Sequence, residues 1–209
     1  MNFELINRIL TSLILLPVLI YSLYYAGLYL IIFLILVYCL SFYEIIRNTK
    51  NLLFNISSNV AIIFALFSFY YLRGDTNYSL VIIYWILLST FLSDIGGYVF
   101  GKTFKGKKLT KISPNKTISG SIGSFFFSLL LIPFFYKDHI DQNLISILLI
   151  TIIISLISQL GDLFISLLKR KAKVKDTSDL LPGHGGVLDR VDGIIFSIPV
   201  GYLILNYFK

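Results

Sequence analysis

Seven long apolar stretches constrain this chain more than any other feature, because each is close to the roughly 20 residues that a helix needs to cross a bilayer. They lie near residues 9–26, 28–46, 54–72, 79–101, 117–136, 143–168 and 191–208. The chain is 56% hydrophobic and only 14% charged, so a single soluble core could not bury its apolar surface. The sequence therefore predicts an all-α fold, a polytopic transmembrane helical bundle of about seven spans.

The chain shows no internal repeat and no long linker, so we expect a single integral membrane domain over residues 1–209. Residues 1–78 carry little beyond apolar character, whereas residues 79–209 hold the polar loops and are expected to carry the chemistry. The first apolar stretch is longer than a typical signal sequence and lacks a small-residue cleavage site, so we expect a retained helix. It is joined to the second near Gly27, which implies a tight hairpin or a re-entrant segment.

Lysine and arginine residues are distributed unevenly between the two ends of the predicted spans. If the N-terminus is cytoplasmic, 15 of the 18 fall on the cytoplasmic side, and Arg73, Lys137 and Lys209 on the other. This predicts a multi-pass protein of the cell (inner) membrane whose two large polar loops face the cytoplasm. The net charge is +7, but the basic residues lie between apolar runs, which favours anionic lipid or nucleotide over nucleic acid.

Polar side chains follow one face of the sixth predicted span at spacings of three and four. They are Ser155, Ser158, Asp162, Ser166 and Lys169. An ionised carboxylate at the depth of Asp162 costs at least about 2.5 kcal/mol unless it meets a cation or a water-filled cavity. We therefore expect a partner for Asp162, with a purely structural lysine pair or a neutral carboxyl as alternatives.

The segment that follows, from Ser166 to Gly193, combines basic residues with glycines. Its lysines and arginines offer positive charge to phosphates, and its glycines let backbone amides approach an anion. The basic residues are Lys169, Arg170 and Lys175, and the glycines are Gly183, Gly185 and Gly186. His184 stands among the glycines, as a proton carrier or as a donor that shapes the loop.

Two aspartates lie at the start of the last apolar stretch. Asp189 and Asp192 are three residues apart, so both carboxylates can face one point, while Arg190 faces elsewhere or reaches back. Paired carboxylates suit Mg²⁺, which binds few protein ligands and completes its shell with water and substrate phosphate. Compensation of the helix dipole is the alternative interpretation.

The other polar loop lies between the fourth and fifth predicted spans. Gly97 and Gly101 form a GxxxG pair, for which close helix packing is the expected role. Asp94, nearby in an apolar run, has no such explanation. The residues Asn115, Lys116 and Thr117 come just before a helix whose N-terminal amides could receive an anion.

Taken together, these residues resemble the signature of the phosphatidate cytidylyltransferase family, also called CDP-diacylglycerol synthases. The signature is Ser-x-x-Lys-Arg, then Lys-Asp, then Pro-x-His-Gly-Gly-x-x-Asp-Arg-x-Asp, and it is unbroken over 27 residues from Ser166 to Asp192. Ser93-Asp94, Ser113-Pro114 and Lys116-Thr117 also look like the family. The chain departs from the family at Ser119, where relatives often carry an acidic residue, and it is shorter than many members, which would mean fewer N-terminal helices.

The resemblance implies transfer of CMP from CTP to phosphatidic acid, which gives CDP-diacylglycerol and pyrophosphate in phospholipid biosynthesis. It assigns Mg²⁺ to Asp162 and Asp189, with Asp192 beside them, and implies a second cation such as K⁺. The catalytic residues would be Lys169, Arg170, Lys175, His184 and Arg190. The substrate-binding residues would be Asp94, Asn115, Lys116, Thr117, Ser166, Asp176, Gly185 and Gly186. The implied partners are CTP, phosphatidic acid and membrane lipids, and a homodimer is one candidate for the oligomeric state.

Other functions remain open at this point. Asp94, Asp162 and Asp192 could mark the path of a cation transporter or channel. The basic loops could belong to a noncatalytic scaffold that binds anionic lipid. A CTP-dependent transferase for another lipid phosphate, or a lipid kinase, would need similar charges.

Overall fold

The computed structural model describes residues 3–110, 112–136 and 143–207, and these residues form helices and loops without a β-strand. The helices are α1 Phe3–Tyr25, α2 Gly27–Asn48, α3 Leu52–Arg73, α4 Asn77–Phe104, α5 Ile118–Leu129, α6 Ile132–Phe135, α7 Leu144–Lys171 and α8 Leu188–Tyr207. Within these described residues, six segments are long and apolar enough to cross a membrane, and α5 with α6 forms one of them, Ile118–Phe135. The polytopic all-α membrane fold is therefore confirmed. The seventh predicted stretch is α8, whose first turn is charged and which is not among the six.

A tight hairpin joins α1 to α2, as one of the two sequence alternatives predicts. Only Ala26 separates the helices, and Ala26 and Gly27 have φ angles of 50° and 49°. The side chain of Arg73, at the end of α3, binds the last turn of α1 at this end of the bundle. It donates to the carbonyl oxygen of Leu23 at 2.5 Å and to that of Tyr24 at 3.1 Å. The α1–α2 and α3–α4 connections therefore lie together.

The polar loops lie together at the opposite end of the bundle. Arg8, near the start of α1, donates through Nε to the carbonyl oxygen of Gly183 at 2.8 Å. Asn48, at the end of α2, donates to the carbonyl oxygen of Thr177 at 2.6 Å. The α7–α8 loop, residues 172–187, thus shares an end with the first residues of α1 and the α2–α3 connection, as the charge distribution predicts. Lys111, Lys137 and Lys209, which enter that distribution, lie outside the described residues.

Glycines let α4 and α5 pack in direct backbone contact. A Cβ atom on Gly120 would lie 2.7 Å from the carbonyl oxygen of Gly97, and one on Gly101 would lie 3.2 Å from Thr117 Oγ1. Thr117 also caps α5, since its hydroxyl accepts a hydrogen bond from the amide of Gly120 at 3.1 Å. The predicted role of the GxxxG pair in close packing is confirmed, and the contact fixes the α4–α5 loop against α4.

The N-terminal helices share a hydrophobic core with the C-terminal ones. One cluster joins Ile45 of α2 and Ile62 of α3 to Leu168 of α7 and Leu188 of α8. On the polar side of α7, Ser155 and Ser158 are fully buried, and the Ser155 hydroxyl lies 2.9 Å from that of Ser93 in α4. Residues before 79 thus contribute directly to the support of α7 and α8.

Candidate functional site

The polar loops and helix ends surround a cavity of about 450 Å³. Its walls come from α4, the α4–α5 loop, α5, α7, the α7–α8 loop and the first turn of α8. Carboxylates and cations line the cavity together: Asp94, Asp162, Asp176, Asp189 and Asp192 with Lys116, Lys169 and Arg190. A space with this lining can receive an anion on its basic groups while its carboxylates hold a cation.

Asp162 has the partner that its depth in the sixth predicted span requires. It forms an ion pair with Lys116, which the α4–α5 loop brings to α7. Ser166, one turn further along α7, donates to Asp162 Oδ1 at 3.4 Å. Both side chains of the ion pair are about one quarter to one third exposed, at 26% and 30%, so the pair faces the cavity. The polar stripe of α7 therefore includes a charged pair that lines the cavity.

Asp189 is held far more tightly by protein groups. Its Oδ1 accepts from Lys169 Nζ at 2.7 Å, and its Oδ2 accepts from the amides of Thr177 and Gly186 at 2.8 and 3.0 Å. Its side chain is only 4% exposed. Both carboxylate oxygens thus anchor the α7–α8 loop and the end of α7.

Asp94, Asp176 and Asp192 line the same cavity but take part in neither of the two ion pairs found among the described residues. Asp192 Oδ1 accepts one hydrogen bond, from the amide of Gly193 at 2.8 Å. Asp189 and Asp192, three residues apart on α8, both face the cavity, as their spacing predicts.

The donor chemistry fits a hard cation that uses few protein ligands. Carboxylate oxygens are the groups that Mg²⁺ prefers, and it usually binds one or two of them and fills the remaining positions with water and phosphate. Within the described residues, no three acidic, histidine or cysteine side chains are close enough to hold a metal by themselves. Asp162 and Asp192 line the cavity with carboxylate oxygens that could bind such a cation. Asp189 could do so only if it lost one of its hydrogen bonds from Lys169, Thr177 or Gly186.

Ten of the predicted site residues line the cavity. They are Asp94, Asn115, Lys116, Thr117, Asp162, Lys169, Asp176, Asp189, Arg190 and Asp192. Ser166 and Gly186 lie behind them, in contact with Asp162 and Asp189. A Cβ atom on Gly185 would lie 3.2 Å from Asp189 Oδ2, so Gly185 also supports this aspartate from behind.

His184 lies outside the cavity lining and contacts α1 instead. Its Nδ1 contacts the hydroxyl of Thr11, and its Nε2 lies 3.3 Å from that of Ser12. Burial, together with the positive charges of Arg190 and Arg8, lowers the pKa of the imidazole. Arg190 donates to the His184 carbonyl oxygen at 2.6 Å and so reaches back, one of the two predicted orientations. These contacts give His184 a loop-shaping position.

Arg170 and Lys175 are exposed and lie outside the cavity lining. Arg170 borders a shallower depression beside the cavity, together with Pro114 and Lys171. Sequence reasoning placed both cations among the catalytic residues because they belong to the same basic segment. Arg170 follows Lys169 at the end of α7, where successive side chains point to different sides of the helix, and Lys175 lies beyond the helix in the α7–α8 loop. Of the three cations, Lys169 is therefore the one that reaches the cavity.

Sequence reasoning missed several polar groups that the fold brings to the site. Tyr98 of α4, Ser121 of α5 and Gln159 of α7 line the cavity, and Ser121 donates to the Gln159 side-chain oxygen. Glu44 of α2 lies behind the site and is fully buried. An acidic residue near the end of an otherwise apolar stretch was the signal that could have identified Glu44.

Comparison with known proteins places this site in a family. The model of the Cytidylyltransferase family matches residues 48–208, which include every residue of the cavity lining. The chain belongs to this cytidylyltransferase family. Proteins named phosphatidate cytidylyltransferase are similar to it: one from Staphylococcus haemolyticus is 43% identical over 140 residues, 66% of this chain and 52% of that protein.

Two further relatives with the same name agree with this assignment. The one from Bacillus subtilis is 39% identical over 140 residues, 66% of this chain and 52% of that protein. The one from Rickettsia felis is 43% identical over 138 residues, 62% of this chain and 60% of that protein. The chain thus spans about half the length of the Staphylococcus and Bacillus relatives that it matches.

Proposed function

We propose that this member of the family transfers CMP from CTP to phosphatidic acid, giving CDP-diacylglycerol and pyrophosphate. The observation that carries the proposal is a cavity at one end of a membrane bundle that is lined both by Asp94, Asp162 and Asp192 and by Lys116, Lys169 and Arg190. The printed names of the relatives agree with this reaction.

The charges of the cavity suit the proposed reaction. An oxygen of the phosphatidate phosphate attacks the α-phosphorus of CTP, a new P–O bond forms, and the bond to the β-phosphate breaks as pyrophosphate leaves. The nucleophile is already anionic, so a strong general base is not required. The larger task is to bring two anions together and to stabilise charge on the leaving group. Lys116, Lys169 and Arg190 are the cations available for that task.

The proposed binding residues for Mg²⁺ are Asp162, Asp189 and Asp192. Asp162 and Asp192 have oxygens that face the cavity, and Asp189 fixes the loop beside them. Bound there, Mg²⁺ would neutralise phosphate charge that lysines alone leave uncompensated. A second cation such as K⁺ and a homodimer remain predictions of the family resemblance.

The cavity is proposed to face the cytoplasm, where CTP is available. The support is the distribution of lysines and arginines, which places 15 of 18 on the side of the polar loops. Phosphatidic acid would then present its phosphate at the level of the membrane surface, with its acyl chains among the apolar helix faces.

The experiment uses the purified full chain in liposomes with labelled CTP. We expect labelled CDP-diacylglycerol only when phosphatidic acid and Mg²⁺ are both present, and pyrophosphate in equal amount. Product with another lipid phosphate but not with phosphatidic acid would overturn the proposed acceptor, and phosphate transfer from ATP would indicate a kinase. Cation flux across the liposome without CTP, in the absence of any CMP transfer, would favour a transporter.

A further inference from the structure

Glu44 is a fully buried carboxylate that lies outside the residues matched by the family model. It belongs to α2, is 0% exposed, and precedes the matched range 48–208. Four donors surround it: the hydroxyls of Thr177 and Ser178 at 2.9 and 2.6 Å, and the amides of Val187 and Leu188, each at 2.8 Å. Each carboxylate oxygen accepts two hydrogen bonds. All four donors belong to the α7–α8 loop or the start of α8.

This arrangement makes the position of the loop depend on one side chain. A carboxylate removed from water is costly unless charge-assisted hydrogen bonds replace its hydration, so the four donors and Glu44 stabilise one another. Val187 and Leu188 stand at the N-terminus of α8, where amides lack helical acceptors and a negative charge is favourable. Glu44 thus fixes the point where α8 begins.

Thr177 connects Glu44 to the cavity. Its hydroxyl lies 2.9 Å from Glu44 Oε2 and also 2.9 Å from Asp189 Oδ2, so the two carboxylates share its single proton, and its amide donates to the same Asp189 oxygen at 2.8 Å. Gly186 completes the contact, because a Cβ atom there would lie 2.7 Å from Glu44 Oε1. A displacement of Thr177 would therefore move Asp189, which lines the cavity.

We propose that Glu44 is a positioning residue of the site, acting through Thr177 and the first turn of α8. It holds Asp189, and with it Lys169 and Asp192, in the geometry of the cavity without touching substrate. The proposal rests on the proposed function for its kinetic readout, but its structural part does not. It also gives the helices before residue 79 a role in the chemistry.

The test compares Glu44→Gln with Ser41→Ala in the full chain. Glutamine keeps the shape of Glu44 but can accept at only one of the two side-chain atoms, so about two of the four hydrogen bonds are lost. Ser41 is the matched control, because it is buried one turn earlier on α2 and its hydroxyl has no partner among the described residues. Hydrogen exchange of peptides covering residues 172–188 is measured first, without substrate.

We expect Glu44→Gln to speed exchange of the loop amides about tenfold or more, and Ser41→Ala to leave it unchanged. In the CTP assay, kcat per folded protein should fall about tenfold or more, the KM for CTP should change less, and half-maximal activity should need more Mg²⁺. A smaller amount of folded protein would not change the Mg²⁺ requirement. Unchanged exchange in Glu44→Gln would overturn the positioning role, as would faster exchange with normal kcat and Mg²⁺ dependence.

A second pair of variants tests the connection through Thr177 and covers the case in which Glu44→Gln does not fold. Thr177→Val removes the shared hydroxyl with little change of shape, and Thr177→Ser retains it. We expect the valine variant to reproduce the loss of kcat and the shift in Mg²⁺ dependence, and the serine variant to recover most of both. Equal activity of the two variants would overturn the proposed connection. If wild-type protein shows no CTP turnover, the proposed function fails, while the exchange data still decide the structural role of Glu44.

Discussion

Lys169 Nζ lies 2.7 Å from Asp189 Oδ1, so an ion pair joins the last turn of α7 to the first turn of α8. The two side chains are only 17% and 4% exposed. Both residues line the cavity, so the ion pair fixes the part of the cavity wall where α7 meets α8. The pair also determines how much of the positive charge of Lys169 is available to a ligand. The chain between them forms the loop that Glu44 holds from the opposite side.

Breaking this pair from one side should destabilise the protein more than removing both charges. Lys169→Met leaves the Asp189 carboxylate buried without its cation, which we expect to cost about 3 kcal/mol in the free energy of unfolding. Adding Asp189→Asn should recover part of that loss. Unfolding in detergent, measured for both single variants and the double variant, gives the coupling energy. Additive effects would contradict a direct interaction.

Cations that line the cavity should matter more to turnover than cations outside it. Lys116→Met removes a charge-assisted contact to Asp162, and we expect kcat/KM for CTP to fall about 10- to 100-fold. Arg170→Gln and Lys175→Gln, in the same basic surface but outside the lining, should lower it less than about threefold. The three variants are compared by initial rates at equal amounts of folded protein. A larger loss from Lys175→Gln than from Lys116→Met would contradict the cavity as the reaction site.

The backbone contact between α4 and α5 should not tolerate a methyl group. Gly120→Ala places a Cβ atom 2.7 Å from the Gly97 carbonyl oxygen, so the helices must separate. We expect a loss of about 1–3 kcal/mol in stability, with reduced turnover because Lys116 and Thr117 move with α5. Ile122→Ala, on the same helix with a side chain 60% exposed, is the control and should change little. Thermal unfolding in detergent measures both.

His184 should make the stability of the protein depend on pH. Burial, Arg190 and Arg8 lower the pKa of its imidazole in the folded state, so the unfolded chain takes up the proton more readily as the pH falls. Wild-type stability is therefore expected to decrease below about pH 6.5, the usual histidine pKa. His184→Gln removes this contribution. The difference in unfolding temperature between wild type and variant should shrink from pH 8 to pH 5, and parallel curves would show that His184 does not titrate in this way.

The sequence predicts the helices and much of the site for clear physical reasons. Apolar stretches of spanning length mark the helices, and spacings of three and four along α7 place Asp162 and Lys169 on one face. The need of a deep carboxylate for a cation predicts a partner for Asp162. Which cation it meets depends on how α4 and α5 pack, and only the fold identifies Lys116.

The remaining features depend on contacts between distant segments. The sequence does not show that α1 receives the His184 ring or that Glu44 receives the loop amides, because no local spacing relates residues more than 130 positions apart. It also leaves open how fully Asp189 is bound by protein donors, since that depends on the path of residues 172–187. For the same reason the sequence groups Arg170 and Lys175 with Lys169, while the structure separates them.

The most direct test of the account is CMP transfer by Asp162→Asn, Asp189→Asn and Asp192→Asn in purified, folded protein. Asp179→Asn serves as the control, because Asp179 is an exposed carboxylate of the same loop outside the cavity lining. We expect kcat for the three cavity variants to fall roughly a thousandfold, which corresponds to about 4 kcal/mol of transition-state stabilisation, and the control to keep wild-type turnover. Near-normal Mg²⁺-dependent turnover in all three cavity variants would contradict the account.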